Sequence, residues 1–313
     1  MGMKKALPRL LVTGLIVQTV VLYLALGRTN QFRYRMNAVQ AKLTGQAPHV
    51  SWGEVVSVVL PRMLRPSWLR EVQCPEAYFR VPVRELQRDD HGHSLWETPL
   101  GNFWASSAEG DLLACIVDEE LNQRIYDRPP VSVRPGDVVF DGGAHVGVFT
   151  RSALGKGARL VIAFEPDPRN LTVLKRTFEK EMREGRLILV EKALWDQAGS
   201  IALSLGEHSA ATHVEQSDAS GERVPTTTID DAVREHGLAR VDFIKLDIEG
   251  SETHAIEGAS STLSSFAPRM VICIYHKPED PVTVTHAVMR RQLAYSVDAT
   301  PTQAYFHRAA TEP

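Results

Sequence analysis

An acid set between an apolar strand and a glycine-rich turn carries the first chemistry of this chain: Val138-Val139-Phe140-Asp141-Gly142-Gly143-Ala144-His145-Val146-Gly147. Gly143 and Gly147 let a backbone come close to a ligand, and a helix beginning after Val146 presents unpaired N–H groups at its start. The pattern is Asp-Gly-Gly-Ala-x-x-Gly, not the Gly-x-Gly-x-x-Gly that favours a dinucleotide pyrophosphate. An acid at the strand end repels a pyrophosphate and attracts the ammonium of an amino acid, which points to S-adenosylmethionine. Glu165 closes the next apolar run, Val161-Ile162-Ala163-Phe164-Glu165-Pro166. A carboxylate there can accept both hydroxyls of a ribose.

A second group of acids lies in Asp242-Phe243-Ile244-Lys245-Leu246-Asp247-Ile248-Glu249-Gly250-Ser251-Glu252. Lys245 and Asp247 share one face of a strand whose neighbours are apolar. Charges in such a strand are costly unless paired or placed at its end. Asp247, at the carboxyl end, faces the usual ligand crevice. It can orient an acceptor, act as a base, or hold a divalent cation with Glu249; a Lys245–Asp247 pair or a helix cap is the purely structural alternative. Glu252 falls in a first helical turn, where its charge suits the helix dipole. His276 follows the fifth strand and is the best histidine for a general base, provided it reaches the hydroxyl it deprotonates. His145 sits in the glycine turn, where a backbone role outweighs proton transfer. His208 and His213 lie in a polar stretch that can form a loop over the site, and no residue is assigned to a metal.

Regular alternation positions these groups. Strands are expected at Val138–Phe140, Leu160–Phe164, Leu187–Glu191, Val241–Leu246 and Met270–Tyr275, with helices after Val146, over Pro168–Arg183 and over Ser251–Leu263. Such spacing implies a mainly parallel sheet with helices on both faces, here with an antiparallel pair at Tyr295–Val297 and Gln303–Phe306. Ile201–Ser204 reads as a short hairpin partner. Upstream, Trp96–Trp104 reads as a hairpin around Pro99-Leu100-Gly101-Asn102, and Asp111–Tyr126 as a helix capped by Asp111.

With these segments in view, the chain from about Leu112 to Phe306 resembles the FkbM family of S-adenosylmethionine-dependent methyltransferases. Gly136–Gly147, Phe164-Glu165-Pro166, Lys192-Ala193-Leu194-Trp195-Asp196, Asp242–Glu252 and Tyr275-His276-Lys277-Pro278-Glu279-Asp280 carry the resemblance in the family's order. It implies an α/β fold of the Rossmann-like class I methyltransferase type and S-adenosyl-L-methionine as cofactor. It also implies Asp141, Gly143, Ala144, His145 and Gly147 around the methionine end, Glu165 and Pro166 at the ribose, and Ala193 and Leu194 beside the adenine. Asp247 and His276 are then the catalytic candidates, with a hydroxyl of a sugar, lipid or natural product as acceptor. Many members carry Glu two residues before that histidine; here the position is Ile274.

Composition sets outer bounds. With 313 residues, 43% of them hydrophobic, the chain has enough apolar material for one α/β domain and more. A net charge of -3 argues against nucleic-acid binding. Cys74, Cys115 and Cys273 are widely spaced and odd in number, unlike a disulfide framework or a zinc site. Leu10–Leu26 has no charged residue, and about 17–20 helical residues reach across a hydrocarbon core. Residues 1–28 are therefore read as a membrane anchor, with a cleaved signal peptide and a buried helix as rivals. Residues 29–110 then form an N-terminal extension, and 111–313 the cofactor-binding domain. The methyl donor is made in the cytoplasm, so a single-pass location with the domain on the cytoplasmic side is expected. A nicotinamide-dependent oxidoreductase and a non-enzymatic membrane adaptor keeping only a cofactor shell are the competing functions.

Overall fold

The computed structural model describes residues 81–204, 209, 213–215, 222–291 and 294–308. Residues Val83–Pro313 form one compact unit. Its centre is a seven-stranded sheet of β4 (Val138–Gly142), β5 (Leu160–Phe164), β6 (Leu187–Val190), β11 (Phe243–Leu246), β12 (Arg269–Cys273), β13 (Tyr295–Ala299) and β14 (Gln303–Arg308). The spatial order is β13-β14-β12-β11-β4-β5-β6. The strands from β12 to β6 run parallel, while β14 pairs antiparallel with both β12 and β13. Every residue of β4 and β5 is buried, as expected of strands covered on both faces. Phe140, Ile162, Ile244, Ile272 and Phe306 belong to the main core.

The order reverses at β4, whose neighbours are β5 on one side and β11 on the other. Ligands of open α/β sheets bind beyond the strand carboxyl ends at such a reversal. Asp141, Glu165 and Asp247 are all carried to that edge.

Helices flank the sheet: α2 (Val148–Gly155), α3 (Pro168–Thr177), α4 (Glu179–Arg183), α5 (Ile229–Glu235), α6 (Glu252–Glu257), α7 (Ser260–Phe266) and α8 (Asp280–Arg291). Two expected helices are broken. The Pro168–Arg183 helix parts at Phe178, whose φ of -116° leaves helical space. The Ser251–Leu263 helix parts at Gly258, where a Cβ would lie 2.4 Å from the Trp195 carbonyl oxygen.

The hairpin is present as β2 (His93–Thr98) and β3 (Gly101–Ser106), joined by β1 (Arg84–Arg88). It packs on α3, where the Trp104 N–H donates to Thr177 Oγ1 at 2.9 Å and the Arg176 guanidinium lies 3.3 Å from the Trp104 ring centre. A short sheet of β7 (Ala193–Leu194), β10 (Glu222–Thr227), β8 (Gly199–Ser204) and β9 (His213–Glu215) stands beside the main one. The helix expected over Asp111–Tyr126 is α1 (Gly110–Asp118) followed by a π-helical turn, Glu119–Gln123, that stops at Arg124 with φ 53°. Glu109 occupies its N-cap, and Asp111 falls in the first turn instead.

The single-pass membrane location is corrected. Among the described residues no helix is long and apolar enough to cross a membrane. Leu10–Leu26, on which the anchor rested, lies outside the described residues, so the membrane partner and the cytoplasmic placement derived from it are withdrawn.

Candidate active site

Beyond β4 the chain turns sharply over the end of β5, and the Gly143 and Ala144 N–H groups both donate to the Phe164 carbonyl at 3.0 Å. Gly143 has φ +74°, and a Cβ there would sit 1.9 Å from the Asp247 carbonyl oxygen. Gly147 has φ +91°, and its Cβ would meet the Phe178 ring at 2.2 Å. Both glycines are thus demanded by the protein's own packing.

Asp141 differs most from its expected role. Its side chain is fully buried, with Lys245 Nζ 3.0 Å from Oδ1 and the Thr150 hydroxyl donating to Oδ2 at 2.6 Å. Its charge is neutralised inside the sheet and is not offered to a ligand ammonium. Lys245 also donates to the carbonyls of Gly142 (3.0 Å) and Gly143 (2.7 Å), so it fixes the turn from beneath. The expected Lys245–Asp247 partnership gives way to this cross-strand one because Lys245 and Asp141 stand opposite in the β11–β4 register.

Glu165 lies just past β5 and is 4% exposed. Its Oε2 accepts the His145 N–H at 2.7 Å and its Oε1 the Asp167 N–H at 2.9 Å. Burial raises the carboxyl to about 7, against the lowering effect of those two N–H groups. The Asn170 side chain donates to it as well, which leaves about one of the carboxylate's four lone-pair sites to accept a hydroxyl such as that of a ribose. Pro166 follows, half-buried. His145 itself has φ 52° and its Nε2 lies 2.6 Å from Ser209 Oγ. The Ser209 hydroxyl donates its one proton to Glu109 Oε2 at 2.7 Å, which makes His145 Nε2 the donor. Burial pushes the His145 imidazole down to about 4, so it is neutral near pH 7. Leu194 packs on this turn, its Cδ1 2.9 Å from where a Gly142 Cβ would be. Ala193 turns into a separate small core with Trp195, Ile201, Leu203 and Val224, so only one of the two expected adenine residues reaches the turn.

Asp247 heads an acidic pocket. Tyr126 donates to its Oδ2 at 2.6 Å, and His276 Nε2 stands 3.3 Å from its Oδ1. Burial raises its carboxyl, but His276, Lys245 and Tyr126 outweigh burial and hold it below the ordinary range. Around His276 three carboxylates converge: Nε2 also lies 3.5 Å from Glu249 Oε1, and Nδ1 lies 3.0 Å from Glu252 Oε1. Burial lowers the imidazole, yet these acids push it up to about 12. Both ring nitrogens face carboxylates, so while these contacts hold His276 has no lone pair turned toward a substrate hydroxyl.

Tyr126, Glu119 and Glu252 belong to this pocket and were not assigned to it from sequence. Burial and the Asp247 charge raise the Glu119 carboxyl to about 7. Glu252, expected to serve the helix dipole, is completely buried and accepts the Ile248 N–H at 3.0 Å. The one available signal was the i, i+2, i+5 spacing of Asp247, Glu249 and Glu252. His208 lies outside the described residues, and His213 falls on β9.

The strand order, the glycine turn after β4 and the acid after β5 together define a class I methyltransferase fold. The family model described as "Methyltransferase FkbM domain" matches residues 141–298. The chain belongs to this FkbM methyltransferase family. It is 30% identical to the 31-O-demethyl-FK506 methyltransferase FkbM of Streptomyces tacrolimicus, covering 45% of this chain and 66% of that protein. It is 26% identical to the hexuronic acid methyltransferase AglP of Haloferax volcanii, covering 51% of this chain and 65% of AglP. The chain thus spans slightly less than two thirds of these relatives. A solved structure of an FkbM methyltransferase from Methylobacillus flagellatus is similar at 20% identity and a TM-score of 0.47, covering 65% of this chain and 56% of that one.

Proposed function

We propose that the protein methylates a hydroxyl oxygen of a sugar, lipid or natural-product acceptor with S-adenosyl-L-methionine as donor. The observation that carries this reading is Glu165, a buried carboxylate at the end of β5, bonded through the His145 N–H to the glycine turn after β4. That pairing suits a nucleoside whose ribose lies on the acid and whose amino-acid end lies over the turn. The names of the two relatives, one acting on an O-demethyl compound and one on hexuronic acid, support an oxygen acceptor.

S-adenosyl-L-methionine, when bound, supplies a methyl group already activated on a sulfonium. The chain's part is then placement, since alignment of donor and acceptor provides much of the acceleration in such transfers. Glu165 accepts a ribose hydroxyl, and Gly143, Ala144, His145 and Gly147 form the floor. Asp247, kept ionised, would accept a hydrogen bond from the acceptor hydroxyl, orient it and take up the proton it loses. A nicotinamide-dependent oxidoreductase is disfavoured because Ala144 stands where the dinucleotide pattern has its second glycine.

Calorimetry with S-adenosylhomocysteine and with a nicotinamide dinucleotide tests this. The first should bind wild-type protein and bind Glu165→Gln at least about tenfold more weakly, in line with the loss of a charge-assisted hydrogen bond. Binding of the dinucleotide in its place would overturn the proposal.

A further inference from the structure

The acidic pocket contains more carboxylates than cations. Asp247, Glu249 and Glu252 converge on His276, while the charge of Lys245 is engaged by Asp141. One donor atom each from Asp247, Glu252 and His276 lies within 4.8 Å of the other two. Independently, Asp247 Oδ1 and Glu252 Oε2 accept no well-aligned hydrogen bond among the described residues, and the His276 ring nitrogens meet the carboxylates only as close ion-pair contacts. Glu252 is 0% exposed and the His276 side chain 7%. Buried polar atoms almost always find a partner, and leaving a charged one without it costs several kcal/mol. Two such carboxylate oxygens beside His276 point to a metal ion, which would take the place of one of the imidazole's ring protons.

We infer that Asp247, Glu252 and His276 form a site for one divalent metal ion, with Glu249 at its rim. Donors bound to one tetrahedral ion at about 2.0–2.2 Å lie roughly 3.3–3.6 Å apart, and the 3.3 Å between His276 Nε2 and Asp247 Oδ1 is already of that size. Two carboxylates and one imidazole suit an ion of intermediate hardness such as manganese or zinc. Glu249, with its side chain 32% exposed, leaves the outer side open for oxygens of a bound molecule. An acceptor with neighbouring oxygens, such as a hydroxyl beside a carboxylate or a second hydroxyl, is the chemistry that would chelate there. This last step rests on the proposed methyl transfer; the ion site itself does not. A second trio, Asp196, His254 and Glu257, is a poorer candidate. There His254 Nδ1 already lies 2.7 Å from Asp196 Oδ2, its ring stacks on Trp195, and Glu257 is exposed.

The test is a titration of the chelator-stripped full chain with Mn2+, followed by electron paramagnetic resonance of the free ion. Wild-type protein should take up one ion, and Glu252→Gln and His276→Gln should bind it at least about tenfold more weakly. The wild-type melting temperature should also rise with Mn2+, a measurement that does not depend on either variant folding. No uptake at millimolar Mn2+, or equal affinity in both variants, overturns the site. S-adenosylhomocysteine affinity measured on the same preparations separates the two proposals. If it persists while Mn2+ fails to bind, the ion site alone falls; if Mn2+ binds without it, the cofactor assignment falls and the ion site stands.

Discussion

Lys245 and Asp141 face each other across adjacent parallel strands, ammonium to carboxylate at 3.0 Å, with side chains 4% and 0% exposed. Removing one partner of a buried pair strands the other, at a cost of about 3–5 kcal/mol. Lys245→Met and Asp141→Asn should each lose stability on that scale in urea unfolding. Joint replacement by apolar residues should restore much of it. Additive losses in the double variant would show that the two do not act as a pair. Asp141→Ala is for the same reason a poor probe of cofactor binding.

The two turn glycines should respond differently to alanine. Each has positive φ, which costs a side chain about 1–2 kcal/mol. At Gly143 the new Cβ strikes a backbone carbonyl, at Gly147 a phenylalanine ring. Gly143→Ala should be the more damaging, and Phe178→Leu should offset part of the Gly147→Ala loss but none of the Gly143→Ala loss. A double-mutant cycle on thermal unfolding reads this coupling.

Glu165 predicts a pH effect on binding. Its folded carboxyl, at about 7, lies above the ordinary 4.5, so the folded state holds the proton more tightly than the unfolded chain. Its contribution to stability is fully present below about pH 4.5 and is lost as pH rises through 7. Ribose hydroxyls favour the ionised form, so S-adenosylhomocysteine affinity should weaken as pH falls below 7. The Glu165→Gln profile should be flat over that range; parallel profiles would rule Glu165 out as the titrating group.

Tyr126→Phe removes the 2.6 Å hydrogen bond to Asp247 while keeping the ring against Phe149, 5.5 Å between centres. Hydrogen bonds to charged groups contribute about 1.5–3 kcal/mol, so a stability loss of that size is expected. With Asp247 less firmly held, kcat should fall more than KM changes. A variant with wild-type kcat would remove Tyr126 from the positioning of Asp247.

Much of the architecture was legible because buried parallel strands leave uninterrupted apolar runs; Leu160–Phe164 was delimited correctly for that reason. β1, Arg-Glu-Leu-Gln-Arg, is exposed along its length and has no apolar period to announce it. The break at Phe178 was invisible too, since helical spacing continues through it and only the contact with Gly147 explains the ring's place. In the site, Asp141, Glu165 and Asp247 were found by their strand-end positions. Their partners were not: Lys245 lies 104 residues from Asp141 and Tyr126 lies 121 from Asp247, separations that only strand register and packing close. Glu252 keeps its expected first-turn place, but that position gave no sign of its burial against His276.

Phe178 beneath Gly147 has one more consequence. A residue that only glycine can occupy because an aromatic ring fills the space behind it reports on the interior of the protein, not on its ligand. A search keyed to the turn's glycines therefore detects how a strand, a helix break and a ring fit together. Chains that share the pattern should share the curvature of this turn whatever they bind, and differences in what they modify should be sought across the crevice, among Asp247, Glu249, Glu252 and His276.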